Sequence, residues 1–341
     1  MISKLKTTLS KFKFRWEYFL ILFLIAEVFI FGNLNSNFMK PRVLYGSIND
    51  FISICVIAIF CCFVFITGGI DLQAGSIVGF TSIVIGVLWK DAGMNIWVAC
   101  VIATLIGCFC GALSGFMIAF TGVQPMVITL GGSFLFSGLA IAVSNMSNTP
   151  AYLGISGFPT YFTDFTKQRF FGVVPMQLLI FIALAVIAYI ILHRTKYGRK
   201  VFLCGINQHS AKFSGINTKL VIMSTYIFSG MAASFAGIIM TSYLGSSKSD
   251  FGSDLTMPII TAIVLGGTST LGGKGGVIGS ALAAVVIGIM RFGLSMSGIS
   301  NQYLDIPVGI MLVVIVAAST ASKNEKIQGF LRHRFMRKRS T

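Results

Sequence analysis

The chain has 341 residues, of which 55% are hydrophobic and only 11% are charged, and its mean hydropathy is +0.87. A soluble core of this size could not hide so much apolar surface, so composition excludes a soluble globular protein and indicates a polytopic membrane protein. The net charge of +16 comes from cations at the chain ends and in one loop. This placement favours the positive-inside rule of membrane insertion over nucleic-acid binding.

Catalytic and metal-binding patterns do not emerge from the sequence. Six of the seven cysteines lie in apolar runs and the three histidines are scattered, so we expect neither a disulfide nor a metal site. The glycine-rich stretch at 265–276 lacks the spacing of a phosphate loop, because Gly275 follows Lys274 where Ser or Thr is needed. No nucleophile and base are paired, so we expect a protein that is not an enzyme and binds no cofactor itself.

Apolar runs predict an all-α fold with about ten transmembrane helices of roughly 20 residues each. Four prolines, at 125, 175, 258 and 307, stand at predicted helix starts, where proline is tolerated. Eight spans are the alternative, because the runs beside Asp71 and Gly272 are short enough to be re-entrant. The predicted spans are residues 17–32, 50–67, 73–89, 96–121, 126–146, 175–193, 220–244, 257–271, 276–295 and 304–321.

Charge placement predicts the topology of a single transmembrane domain over residues 1–341. The N-tail at 1–16, the loop at 194–219, the turn at Lys274 and the C-tail at 322–341 together hold 19 of the 26 Lys and Arg residues. An even number of spans puts all four segments, and therefore both termini, in the cytoplasm of a bacterial inner membrane.

A glycine-rich break with one carboxylate, TGGIDLQAGS at 67–76, separates the second and third predicted spans. Broken helices at membrane depth occur only against protein or water, so we expect this break to line a cavity or the cytoplasmic mouth. Asp71 is first expected to cap the following helix, and proton or substrate binding is the second interpretation. Glu27, in the middle of the first span, is expected to face an interior partner.

The basic loop at 194–219 contains a segment, 208–214, that is long enough for two helical turns and is bounded by Gly205 and Gly215. We interpret it as a short docking helix beneath the membrane, although an ordinary positive-inside loop would carry the same charge. Residues 145–174 are expected to form a cap over the outer mouth. Gly107, Gly111 and Gly115 recur every four residues and predict close helix packing.

Four motifs in chain order resemble the permease subunits of ribose-type ABC importers. They are the break at 67–76, GVQPMVITLG at 122–131, GIN through SGI at 205–216, and VLGG at 264–267 leading to Gly279. A narrower set is similar to the D-type permeases of autoinducer-2 import systems: GFP and FTDF within 157–165, SYLGS and SD within 242–250, and SNQ at 300–302. Departures from the sugar-permease pattern fall at Gln73, Ala74 and Ser210.

This resemblance implies the permease half of an ATP-driven importer. It implies as partners a related C-type permease, two nucleotide-binding ATPase domains that hydrolyse ATP, and a periplasmic substrate-binding protein, with lipids around the spans. It implies autoinducer-2 as the solute, with ribose or another monosaccharide as the alternative. An ion-gradient-driven transporter that uses Glu27 and Asp71, and a passive channel or membrane receptor, are the alternatives from other classes.

The resemblance also assigns the docking segment to ATPase coupling, and the expected coupling residues are Gly205, Asn207, Ser210, Ala211, Lys212 and Gly215. Within the importer interpretation, we expect the translocation path at the interface with the second permease. Its candidate residues are Thr67, Gly69, Asp71, Gln124, Pro125 and Thr129, with helix packing as the alternative role of Thr67, Gln124 and Thr129.

Overall fold

The structure is a computed structural model that describes residues 16–323. Residues 1–15 and 324–341, which include nearly all of the predicted N-tail and most of the predicted C-tail, lie outside the described part. Fourteen α-helices make up most of the described chain. They are α1 (Trp16–Leu34), α2 (Pro41–Gly46), α3 (Ile48–Ile66), α4 (Ala74–Lys90), α5 (Ile96–Thr121), α6 (Pro125–Ser144), α7 (Thr160–Lys167), α8 (Met176–Tyr189), α9 (Lys196–Ile206), α10 (Gln208–Phe213), α11 (Thr218–Leu244), α12 (Thr256–Leu265), α13 (Val277–Met296) and α14 (Asp305–Lys323).

Helix α3 is the centre of the bundle. Its side chains from residue 51 to residue 66 are all buried, and α8, α11, α12 and α13 pack around it. A helix that is apolar on every side suits either a protein core or surrounding lipid. The sequence of α3 therefore allows its central position, and packing against its neighbours decides it.

Helices α5 and α11 pack closely because glycines lie at their contact. A Cβ atom at Gly111 would overlap the carbonyl oxygen of Tyr226 and lie 2.8 Å from its carbonyl carbon, and one at Gly230 would overlap the carbonyl oxygen of Gly107. Only glycine lets two backbones approach so closely. The packing role predicted for Gly107, Gly111 and Gly115 is confirmed.

A small cap closes one end of the bundle. It contains α7, the antiparallel pair of β1 (Ile155–Ser156) with β4 (Ser246–Ser247), and the hairpin of β2 (Arg169–Phe170) with β3 (Val174–Pro175). Thr166 of α7 shares a hydrogen bond of 2.9 Å with Ser242 at the end of α11. The cap therefore lies at the end where α3 begins and α11 finishes.

Every predicted span contains a helix, although the number of membrane crossings stays a prediction. Among the described residues, seven helices are long and apolar enough to cross a membrane, judged by length and composition. Three further apolar helices are shorter: Ala74–Lys90, Thr256–Leu265 and the apolar part of α14, Asp305–Ala317. The predicted span at 257–271 was wrong at its end, because α12 stops at Leu265 and a glycine loop with positive φ at Gly267 and Gly272 follows.

Candidate functional site

The break between α3 and α4 is tightly packed against neighbouring residues. Helix α3 ends at Ile66 with Thr67 as its C-cap, Gly68 has a φ of +84°, and α4 begins after Gln73. A Cβ atom at Gly69 would overlap the hydroxyl of Tyr226 and lie 3.0 Å from Val64. Glycine at 69 therefore allows the break to lie directly against α11.

Asp71 is almost fully buried in this break. Its Oδ1 accepts a hydrogen bond of 3.0 Å from the amide of Gln73, and its Oδ2 has no hydrogen-bond partner among the described residues. The prediction that Asp71 caps the first turn of the next helix was wrong in detail. Gln73 is the N-cap residue, it makes no side-chain cap, and Asp71 closes the turn before it.

Gln73 belongs to a buried polar cluster with Asp71, Tyr226 and Ser229. Its Oε1 accepts a hydrogen bond of 2.6 Å from Ser114 of α5. Its Nε2 and the Tyr226 hydroxyl have no partner among the described residues, and the Ser229 hydroxyl lies beside the Asp71 carboxylate without a well-formed hydrogen bond. Buried polar groups are nearly always paired, so this cluster marks the break as a candidate for a change of packing or hydration during transport.

Sequence reasoning missed the two α11 members of this cluster. Tyr226 and Ser229 are three residues apart and share one helix face, but they lie more than 150 residues from the break in the chain. Isolated polar residues in an apolar helix gave the only signal, and that signal does not identify a partner.

The predicted path residues fall into two groups. Thr129 of α6 donates to the carbonyl oxygen of Ile70 over 3.1 Å, which brings it to the break beside Gly69 and Asp71. Thr67 is also buried at the break, where its hydroxyl donates to Val64 within its own helix. Gln124 is exposed and Pro125 is half-buried where α6 begins, so the structure does not bury these two with the others.

A short helix, α10, lies at the position predicted for docking. Asn207 caps it, because its side-chain oxygen accepts from the amide of Ser210 over 3.0 Å, and Gly215 follows with a φ of +78°. Ser210 and Lys212 are exposed, whereas Ala211 is buried against the rest of the chain. Five of the six predicted coupling residues thus lie in this helix or next to one of its ends. Ala211 is buried, so it does not face a docked ATPase. The docking role stays a prediction.

Phe213 is the most exposed apolar residue of this loop, at 91% exposure, and sequence reasoning missed it. A phenylalanine in a helix is expected to turn towards the core, so nothing in the sequence separates this one from the other phenylalanines. Sequence reasoning also missed α9, in which Gly198, Val201 and Cys204 recur every three residues on the buried face.

Helix α9 is fixed to the bundle through Tyr197. The Tyr197 hydroxyl and the Ser224 hydroxyl of α11 share a hydrogen bond of 2.7 Å. Burial is the main cause that raises the pKa of Tyr197 to about 12, so the phenol remains neutral at physiological pH. This contact anchors the segment that leads into α10.

The sixth predicted coupling residue, Gly205, lies at what we call the main-chain junction of Ile66, Gly205 and Gly273. The amide of Gly273 donates to the carbonyl oxygen of Ile66 over 2.8 Å, and a Cβ atom at Gly205 would overlap that same oxygen. A Cβ atom at Gly272 would lie 2.9 Å from the amide nitrogen of Gly68. The segment before α10, the end of α3 and the glycine loop after α12 therefore meet through backbone atoms, next to the break.

Comparison with known proteins decides the class. The family described as "Branched-chain amino acid transport system / permease component" matches residues 43–316. The chain belongs to this permease family. The matched region contains the break, the main-chain junction and α10.

Curated relatives of this permease match along almost their full length. The chain is 39% identical over 310 residues to the autoinducer 2 import system permease protein LsrD of Salmonella typhimurium, covering 91% of this chain and 93% of the relative. It is 38% identical over 329 residues to the protein of the same name from Yersinia pseudotuberculosis, covering 96% and 98%. No solved structure matches the chain.

Proposed function

We propose that this permease forms half of the path for autoinducer-2, or a chemically similar sugar-like solute, in an ATP-driven importer of the bacterial inner membrane. Its proposed partners are a C-type permease, two ATPase domains that bind and hydrolyse ATP, and a periplasmic binding protein. This chain supplies no cofactor of its own, and its termini and basic loop lie in the cytoplasm. Ribose or another monosaccharide is the alternative solute.

The solute is the least constrained part of the proposal. The family description refers to branched-chain amino acids, whereas the relatives that match along the whole chain are named for autoinducer-2. Similarity over 91% or more of the chain supports the narrower assignment. Membership of an importer permease family also favours an ATP-driven mechanism over a gradient-driven transporter built on Glu27 and Asp71.

The exposed ring of Phe213 is the observation that carries the docking role. It projects from a two-turn helix in a loop with six Lys and Arg residues and no Asp or Glu. A large exposed aromatic side chain is a frequent anchor at protein interfaces, where it fills a pocket of the partner. We therefore assign Phe213 as the main contact with the ATPase.

The main-chain junction supplies a route from α10 to the break. A single residue separates Gly205 from Asn207, so a displacement of α10 pulls directly on the backbone that touches Ile66. The break begins at Thr67, the residue after Ile66. Movement of a docked ATPase would in this way tilt α4 and α6 relative to α3, as in other rigid-body switches.

One face of α6 has no packing neighbours in the described part of this chain, which supports a second permease as a partner at that face. Val127 and Phe134 are exposed on this face, and Cβ atoms at Gly131 and Gly138 would meet no other atom within 4 Å. The helix is thus packed on one side only, against α4 and α5. Placement of the C-type permease on this face would leave α6 between the partner and the break, because Thr129 lies on the opposite face of the helix, against Ile70.

Replacement of Phe213 tests the proposed function, and Phe171 provides a matched control. Phe171 is 92% exposed but lies in the β2–β3 hairpin of the cap, at the other end of the bundle. Phe213→Ser is expected to reduce ATPase co-purification and ATP-dependent uptake at least tenfold, since a buried aromatic anchor contributes about 2 kcal/mol or more. Phe171→Ser is expected to retain ATPase co-purification.

Normal ATPase binding by Phe213→Ser would refute the docking role. Uptake that continues in cells lacking every partner ATPase, and stops when an uncoupler is added, would refute the importer itself.

A further inference from the structure

A cavity of about 160 Å³ lies at the end of the bundle opposite α10, between the start of α3, the start of α8 and the end of α11. Its polar lining residues are Asn49, Asp50, Ser53, Gln177 and Tyr243, and its other five lining residues are Ile, Leu and Met. None of these residues belongs to the candidate path at the break. The cavity is therefore a separate feature of the molecule.

Two amide oxygens in this lining lack a donor. Gln177 is fully buried, and its Oε1 has no hydrogen-bond partner among the described residues; the same is true of the buried Oδ1 of Asn49. The orientation of the Gln177 amide is fixed, because its Nε2 faces the carbonyl oxygen of Thr166 at 3.5 Å and a carbonyl can only accept. The oxygen without a partner is therefore an acceptor.

The Tyr243 hydroxyl lies beside the Asn49 side chain, but Oδ1 of Asn49 and Oε1 of Gln177 still lack a donor among the described residues. Asp50 adds a carboxylate, which is exposed at this end of α3 and accepts hydrogen bonds when ionised. Unsatisfied buried acceptors cost free energy until a molecule with O–H or N–H groups occupies the site. A ligand rich in hydroxyl donors would satisfy all three side chains.

Size and wall chemistry favour a small polyhydroxy molecule over a metal ion or a single water. The cavity holds several times the volume of one water molecule, about 30 Å³. Half of its lining residues are aliphatic, and they suit the C–H faces of a sugar ring. Among the described residues, no group of three or more His, Cys, Asp and Glu is placed to hold a metal ion.

We propose that this cavity is an entry site that binds a small polyhydroxy solute through Asn49, Asp50 and Gln177. The proposal rests on the proposed transport function, since only an importer whose basic loop is cytoplasmic would present this end to the outside. Solute released by a binding protein would then meet the cavity before it reaches the break.

The test uses the full-length chain in lipid nanodiscs and saturation-transfer NMR with autoinducer-2 and D-ribose added separately. The unmodified chain is expected to transfer saturation to at least one of them, and to a much smaller extent to leucine. Gln177→Met and Asn49→Leu are expected to weaken that binding about tenfold, the effect of roughly one lost hydrogen bond. Asn49→Asp keeps an acceptor and should retain binding.

Gln302→Met is the matched control, because Gln302 is exposed in the loop before α14 and does not line the cavity. Equal binding by the unmodified chain, Gln177→Met and Asn49→Leu would overturn the proposal. So would absence of binding to both solutes, stronger binding to leucine, or displacement of the solute by calcium or sodium chloride. If Gln177→Met fails to fold, the pair of Asn49 variants decides the outcome.

Uptake by the complete importer separates this inference from the proposed function. If the unmodified chain supports uptake and Asn49→Leu does so with the same half-saturating solute concentration, the entry site is wrong and the function stands. If the unmodified chain supports no ATP-dependent uptake with all partners present, the proposed function fails, whatever the NMR result.

Discussion

The substitution Gly205→Ala tests whether the main-chain junction transmits movement. Its Cβ atom would overlap the carbonyl oxygen of Ile66 and lie 2.6 Å from the amide nitrogen of Gly273. Non-bonded heavy atoms need roughly 3.5 Å, so the backbone segments must separate by roughly 1.5 Å or more at the Ile66 oxygen. Neither neighbour is a side chain that could rotate away.

The expected loss of stability is about 1–3 kcal/mol. Overpacking in a close-packed region costs about 1–3 kcal/mol, and loss of the hydrogen bond from Gly273 to Ile66 costs about 1 kcal/mol more. Alanine has a higher helix propensity than glycine, which offsets up to about 1 kcal/mol of this loss of stability. The same separation would disconnect α10 from the break, so uptake should fall by more than the loss of folded protein explains.

Gly309→Ala is the matched control for this experiment. Gly309 lies within α14, and a Cβ atom there would meet no neighbouring atom of the described residues within 4 Å. This change should therefore be neutral or stabilise by up to about 1 kcal/mol. Unfolding free energies in mixed detergent micelles, and ATP-dependent uptake per folded protein, provide the measurements. If Gly205→Ala matched Gly309→Ala in both, the junction would have no part in transmission.

Two further substitutions probe the docking helix and the bundle. Asn207→Ala removes the side-chain oxygen that accepts from the Ser210 amide, so the stability of α10 should fall by about 1 kcal/mol and ATPase co-purification should weaken. Asn207→Asp keeps an accepting oxygen, so it should retain normal co-purification. Equal co-purification by both variants would contradict the role of the cap. Gly111→Val places a Cβ atom against the Tyr226 carbonyl, so the unfolding free energy should fall by about 3 kcal/mol. An unchanged unfolding free energy would rule out the close approach of α5 and α11.

The sequence was sufficient to place the long helices, because the length of an apolar run and the residues at its ends are local properties. The span predicted at 96–121 coincides with α5, where Asn95 supplies an N-cap and Gly122 ends the helix with a φ of +75°. The end of α12 was predicted less well, although the glycine pair directly after Leu265 is a sequence signal for the end of a helix.

The site was only partly predictable, because its parts come together through packing between distant segments. Gly69 and Asp71 could be recognised from glycines and a carboxylate within an apolar region. Tyr226 and Ser229 could not, since their unpaired hydroxyls matter only when α11 lies against the break. Likewise, the exposure of Phe213 depends on how α10 is oriented, which the loop sequence does not determine.

The main-chain junction has a consequence for importers that contain several related permeases. Contacts at Ile66, Gly205 and Gly273 use backbone atoms, so apart from the need for glycine at 205 they do not depend on the side chains by which one subunit differs from another. Under the docking role proposed for α10, the choice of ATPase depends instead on the outward surface of that helix. A chimaera that receives only the α10 surface from another importer should bind the ATPase of that importer. Its own main-chain junction should still couple α10 to the break.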